Sequence, residues 1–162
     1  MPKYAAKTEV SANKSREEIE RTLQRYGATG FIYGWQDSSA IVGFTMNGKQ
    51  IKFLLQMPDR NDKQFTEYQR GYSTYYREES AAAKLWEQAT RQRWRALALC
   101  VKAKLEAVEA GISTFENEFL AHIVLADGQT VGDWIQPQLD TVYLTGKMPP
   151  LLPGMGGTSA TT

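Results

Sequence analysis

The 162-residue chain sets 19 Lys and Arg against 18 Asp and Glu, a formal net charge of +1, with 42% hydrophobic and 23% charged residues. That length suits one domain with a real core, and that balance excludes wholesale disorder, a coiled coil and a membrane-embedded chain. The lone cysteine, Cys100, excludes an internal disulfide or a thiolate cluster for zinc or iron–sulfur and fits a reducing compartment.

No apolar run nears the roughly 20 residues that span a bilayer, and the first stretch, MPKYAAKTEVSANKS, lacks the apolar core of a signal peptide. A cytoplasmic protein with no membrane partner is the expectation. The domain plan that follows is a flexible arm over residues 1–14, a single α+β domain over 15–146, and a disordered Pro/Gly-rich tail over 147–162.

Along the chain, Ser15 and Glu18 have the spacing of a capping box, Ile19, Leu23 and Tyr26 share one helical face, and Gly27 supplies a stop. A short amphipathic helix is predicted there. Residues 29–35 alternate Phe31, Tyr33 and Trp35 with Gly30, Ile32 and Gly34, which reads as a strand, and Gln36 to Ser39 as a polar turn. Asn47-Gly48 is the preferred dipeptide of a type I′ hairpin. If Met46 faces Lys49, then Phe44 faces Ile51, Val42 faces Phe53 and Ala40 faces Leu55, which makes one face apolar. The other pairs Thr45 with Gln50, Gly43 with Lys52 and Ile41 with Leu54, a mixed surface.

Pro58 ends the sheet. From Asp59 to Arg77 the chain reads as a long irregular loop in which Arg60, Lys63, Arg70 and Arg77 interleave with Phe65, Tyr68, Tyr72, Tyr75 and Tyr76. A long amphipathic helix over about Ser80 to Glu109 follows, with Trp94, Leu97, Ala98, Val101, Leu105 and Val108 on the stripe that packs on the sheet. Lys84, Arg91, Arg95 and Lys102 form a second stripe about 100° round from it. After Gly111, Ser113 and Glu116 suggest a capping box for a short helix carrying Phe115, Phe119 and Ile123. Thr130 to Ile135 suggests another short helix, broken or restarted at Pro137 and continuing to Gly146. The fold class expected is α+β: a short helix, a three-stranded antiparallel sheet, a long helix packed on it, and short C-terminal helices.

Charge is segregated. Residues 91–104 hold five basic side chains and no acid, whereas 105–140 hold seven acids and no Lys or Arg. A domain so patterned can present a basic face to nucleic acid or to an acidic protein. No catalytic motif stands out. The only imidazole available to Cys100 is His122, Glu118 and His122 make at most two ligands of a metal site, and no phosphate-binding glycine loop is present. No enzyme, cofactor or metal is therefore expected.

The stretches SREEIERTLQRYGATGF, RQRWRALALCVKAKLEAVEAG with ISTFENEFLAHIVL, and DGQTVGDW resemble those of small proteins encoded by phages and prophages. The resemblance spans about residues 4–153 and implies phage-related roles such as replication, recombination or countering host defence. It brings no catalytic residues with it. Helix, three strands and helix is also an order similar to that of double-stranded RNA-binding domains and the core of single-strand annealing proteins, although the RNA-binding family's lysine cluster is replaced here by Ser80-Ala81-Ala82-Ala83-Lys84.

The expected function is a non-enzymatic phage accessory protein that binds nucleic acid, in the first place single-stranded DNA. Lys84, Arg91, Arg95 and Lys102 would hold phosphates while Tyr72, Tyr75 and Tyr76 stack on bases. The alternative is a protein-binding module, either an inhibitor of a host defence complex or a self-assembling homo-oligomer, suggested by the mixed sheet face of Ile32, Ile41 and Leu54.

Overall fold

The computed structural model describes residues 7–148. Residues 1–6 of the expected arm and 149–162 of the expected tail lie outside that range. The fold is α+β. Helix α1 (Ala12–Arg25) leads into β1 (Thr29–Gln36), β2 (Ser39–Met46) and β3 (Lys49–Gln56), an antiparallel sheet in the order β1-β2-β3. A single turn of helix, α2 (Lys63–Thr66), and a hairpin of β4 (Glu67–Arg70) and β5 (Ser73–Tyr76) precede the long helix α3 (Glu79–Glu109). Helix α4 (Phe115–Phe119), a 3₁₀ turn (Leu120–His122) and α5 (Val131–Thr145) complete the chain.

The register of β2 on β3 is the one the Asn47-Gly48 turn dictates. Met46 pairs with Lys49, Phe44 with Ile51, Val42 with Phe53 and Ala40 with Leu55, and both turn residues take the positive φ, 50° and 71°, that type I′ demands. β1 pairs with β2 through Tyr33–Val42 and Trp35–Ala40, with a bulge between Thr29 and Ile32 at Gly30, whose φ is 61°.

One sheet face is covered by helices. Ile19 and Leu23 of α1, Trp94, Leu97, Ala98, Val101 and Leu105 of α3, and Phe115 and Phe119 of α4 close over Val42, Phe44, Ile51 and Phe53. Phe119 is wholly buried and meets Phe44, Phe53 and Phe115 at ring-centroid distances of 6.1, 6.3 and 4.9 Å, the range of favourable aromatic pairs. The opposite face leaves Ile32 and Leu54 more than half exposed.

Four boundaries differ from the sequence reading, each for a local reason. α1 begins at Ala12 because Ser11, not Ser15, accepts the capping bond from the Lys14 amide at 3.2 Å. Ser15 is instead buried inside the helix, its hydroxyl without a hydrogen-bond partner among the described residues. α4 is capped by Thr114, which accepts from the Asn117 amide. Ser113 is already committed, since its amide and that of Ile112 both donate to Ala107 O and close the end of α3. Pro137 does not break α5. The Thr130–Asp133 capping box secures the first turn, and the helix runs on without the one bond that position 137 would have donated. Finally, residues 59–77 are not an irregular loop but contain α2 and the second, two-stranded sheet.

The orphaned Ser15 hydroxyl yields a test. Ser15→Ala keeps the packed Cβ and removes an unsatisfied buried group, so it should raise unfolding stability by about 1 kcal/mol. The readout is a higher urea midpoint at unchanged m-value; a lower midpoint would mean that the hydroxyl is satisfied.

Candidate nucleic-acid interface

The predicted site residues fall in two places. Lys84, Arg91, Arg95 and Lys102 lie on one stripe of α3 as their spacing requires, but the stripe is turned toward α1, and its two arginines are not free. The Arg95 guanidinium pairs with the Glu18 carboxylate of α1. Arg91 Nε donates to Gln88 Oε1 at 3.1 Å, and Gln88 Nε2 donates in turn to Thr8 O at 3.0 Å. Both arginines are half-buried, whereas Lys84 and Lys102 are exposed. Exposed ion pairs contribute little, but here a partly buried one ties two helices together.

The tyrosines belong to the β4–β5 hairpin. Asp62 caps α2 by accepting from the Gln64 amide at 3.0 Å, and buried Phe65 plugs that turn into the body. Arg77 closes the hairpin's base: its Nη1 donates to the carbonyls of Gln64, Phe65 and Glu67, and its guanidinium lies over the Tyr68 ring at 5.5 Å. Behind it, Trp86 Nε1 donates to Pro58 O at 2.8 Å while Arg60 stacks on the Trp86 ring. Tyr68 and Tyr75 form a cross-strand pair with ring centroids 5.6 Å apart.

This arrangement leaves Tyr72 at the tip fully in solvent, Tyr76 81% exposed and Tyr75 46% exposed. Three phenol rings on a braced ribbon can stack with little conformational entropy to lose. Tyr68, Arg70 and Arg77, which the sequence places among the interleaved aromatic and basic residues, were not among the expected site residues. The available signal was Gly71, whose φ of 62° fits a two-residue Gly-X turn between Arg70 and Ser73.

The two places differ in charge. Around the hairpin, Arg60, Lys63, Arg70, Arg77 and Lys84 are set against Asp59, Asp62, Glu67, Glu78, Glu79 and Glu87. The cationic excess therefore lies on the helices, and the exposed aromatic rings lie on the hairpin.

The other chemistry considered from sequence is dispersed. Glu118 Oε2 lies 3.6 Å from Lys104 Nζ, and His122 stacks on Phe53 with ring centroids 4.1 Å apart, so the pair does not converge on a ligand. Cys100 is exposed on α3. No group of three or more His, Cys, Asp or Glu that could hold a metal occurs among the described residues. Beside His122 lies a cleft lined by Lys52, Leu54, Thr130 and Asp133, in which Lys52 Nζ donates to Gly128 O at 2.8 Å and Asp133 is held by Thr130.

No helix among the described residues is long and apolar enough to cross a membrane. No protein-family model matches the chain, and comparison with curated proteins and with solved structures finds no match.

Burial, and then the nearby Lys104 charge, holds the His122 pKa below its ordinary value, against a smaller raising effect of a Lys52 backbone hydrogen bond. The unfolded chain therefore takes up its proton near pH 6.5 while the folded chain takes it up only lower, so this contribution reduces stability as pH falls through about 6.5, between about pH 7.5 and 5.5. Urea midpoints at those two pH values should differ less in His122→Gln than in the wild type. Equal differences in the two proteins would show that His122 does not titrate this way.

Proposed function

We propose that the protein is a non-enzymatic phage accessory protein that binds single-stranded nucleic acid, in the first place DNA, in the host cytosol. The observation that carries this reading is the projecting hairpin, with Tyr72 and Tyr76 in solvent at the end of a helix that also presents exposed Lys84 and Lys102. Tyrosine rings stack on unpaired bases irrespective of sequence, and lysines hold phosphates as mobile point charges. The division between a stacking ribbon and a charged helix suits a strand whose bases are splayed outward. The resemblance to phage and prophage proteins supports a place in replication or recombination.

A second reading is favoured by one observation. The segment Tyr68 to Tyr76 is built of Tyr, Gln, Arg, Gly, Ser and Thr, close to the composition of protein-binding loops, and its surroundings carry no cationic excess. In that reading the hairpin docks on a host or phage protein.

One titration separates the two. Anisotropy of a labelled oligothymidylate at low salt should show binding that weakens linearly in log salt. Tyr72→Ala with Tyr76→Ala should remove about 1–3 kcal/mol per ring, and Lys84→Gln with Lys102→Gln should flatten the salt slope by about 0.7 per lysine lost. A protein that binds no oligonucleotide at low salt contradicts the first reading and leaves the second.

A further inference from the structure

Helices α1 and α3 lie side by side and run in the same direction. Thr8 meets Gln88, Glu18 meets Arg95, and the Tyr26 hydroxyl donates to Glu106 Oε1 at 3.1 Å, so the contact residues advance together along both segments. The Glu18–Arg95 pair therefore marks the outer seam between the helices, with the buried row of Ser15, Ile19 and Leu23 turned away beneath it.

At 100° per residue, Lys14, Arg21 and Arg25 all fall within about 60° of Glu18, on the side away from that buried row. All three are exposed, and none makes an ion pair among the described residues. Across the seam, Arg91 and Lys102 fall within about 40° of Arg95. Six basic side chains thus line one outer groove. The acids beside them are Glu17, one turn from both Lys14 and Arg21; Glu87 and Glu9, close to Arg91; Glu18, held by Arg95; Glu106, held by the Tyr26 hydroxyl; and Glu109 at the C-terminal end of α3. Lys14, Arg21, Arg25 and Lys102 nevertheless remain exposed and make no ion pair among the described residues.

We propose that this groove seats the sugar–phosphate backbone of the bound strand, with Lys14, Arg21 and Arg25 of α1 holding phosphates opposite Lys102 of α3. The proposal rests on the nucleic-acid reading above and extends its interface to a helix that contributed nothing to it. A polyanion is the occupant because four exposed cations that make no ion pair among the described residues, Lys14, Arg21, Arg25 and Lys102, follow one line along the two helices. From Lys14 to Arg25 it runs about 16 Å along α1. Arg95 is here a positioning residue: by holding Glu18 it cancels the acid that would otherwise face the strand.

The test uses the full chain and a labelled oligothymidylate, with affinity measured across a salt series. Arg21→Gln with Arg25→Gln should weaken binding at least 10-fold at low salt and reduce the log–log salt slope by about 1.4, or 0.7 for each cation removed. Lys14→Gln alone should reduce it by about 0.7, whereas Lys147→Gln, beyond α5, should leave it unchanged. These side chains are exposed, and unaltered circular dichroism confirms the fold of each variant. If the wild type binds and the α1 variants match it in affinity and slope, the groove proposal is overturned while the hairpin reading stands. If the wild type does not bind, both fall. Polyglutamate that competes as well as unlabelled oligothymidylate at equal charge would assign the groove to an acidic protein and overturn the proposal.

Discussion

The architecture depends on one constraint: a 31-residue helix lies on a sheet whose strands are only eight residues long. The apolar stripe of α3 from Trp94 to Leu105 finds its partners in Val42, Phe44, Ile51 and Phe53, but that stretch is about 16 Å of a helix about 46 Å long. Phe119 seals the sheet against this stripe from the far side. The rest of α3 needs other support. Its N-terminal turns receive it from the Pro58–Trp86 bond and the α2 turn, and its flank receives it from α1.

That distribution decides which polar groups remain for a partner. Arg95 and Arg91 help to fix α1 and the segment before it, so their charge is spent partly on structure. Lys84 and Lys102 are exposed and make no ion pair among the described residues, so they keep theirs. The hairpin grows from the joint between sheet and helix, and Arg77 at its base ties the ribbon to α2 by donating to the carbonyls of Gln64 and Phe65 as well as to that of Glu67. Function in this reading is placed where the fold has finished burying apolar surface.

The sequence made some of this legible and hid the rest for identifiable reasons. Asn47-Gly48 determined the whole β2–β3 register, because a one-residue slip would expose Phe44 and Phe53 together. The α3 stripe was equally plain from its spacing. The hairpin escaped because Tyr68, Arg70, Ser73 and Tyr75 show no apolar face, so period-two alternation had nothing to alternate against. Ser11 and Ser15 both look like caps, and only packing puts the second one inside. The partner of Arg95 lies 77 residues away in sequence, a pairing that depends on how two helices cross and not on any local pattern.

The central claim is that the strand contacts the helical layer and the hairpin while the open sheet face stays clear. Amide chemical shifts recorded while titrating oligothymidylate into isotopically labelled protein test it most directly. The account predicts shifts at Tyr72 and its neighbours, along Lys14 to Arg25 and around Lys102, with Ile32, Ile41 and Leu54 unmoved. Shifts concentrated at Ile32 and Leu54, or none anywhere at saturating oligonucleotide, would contradict it.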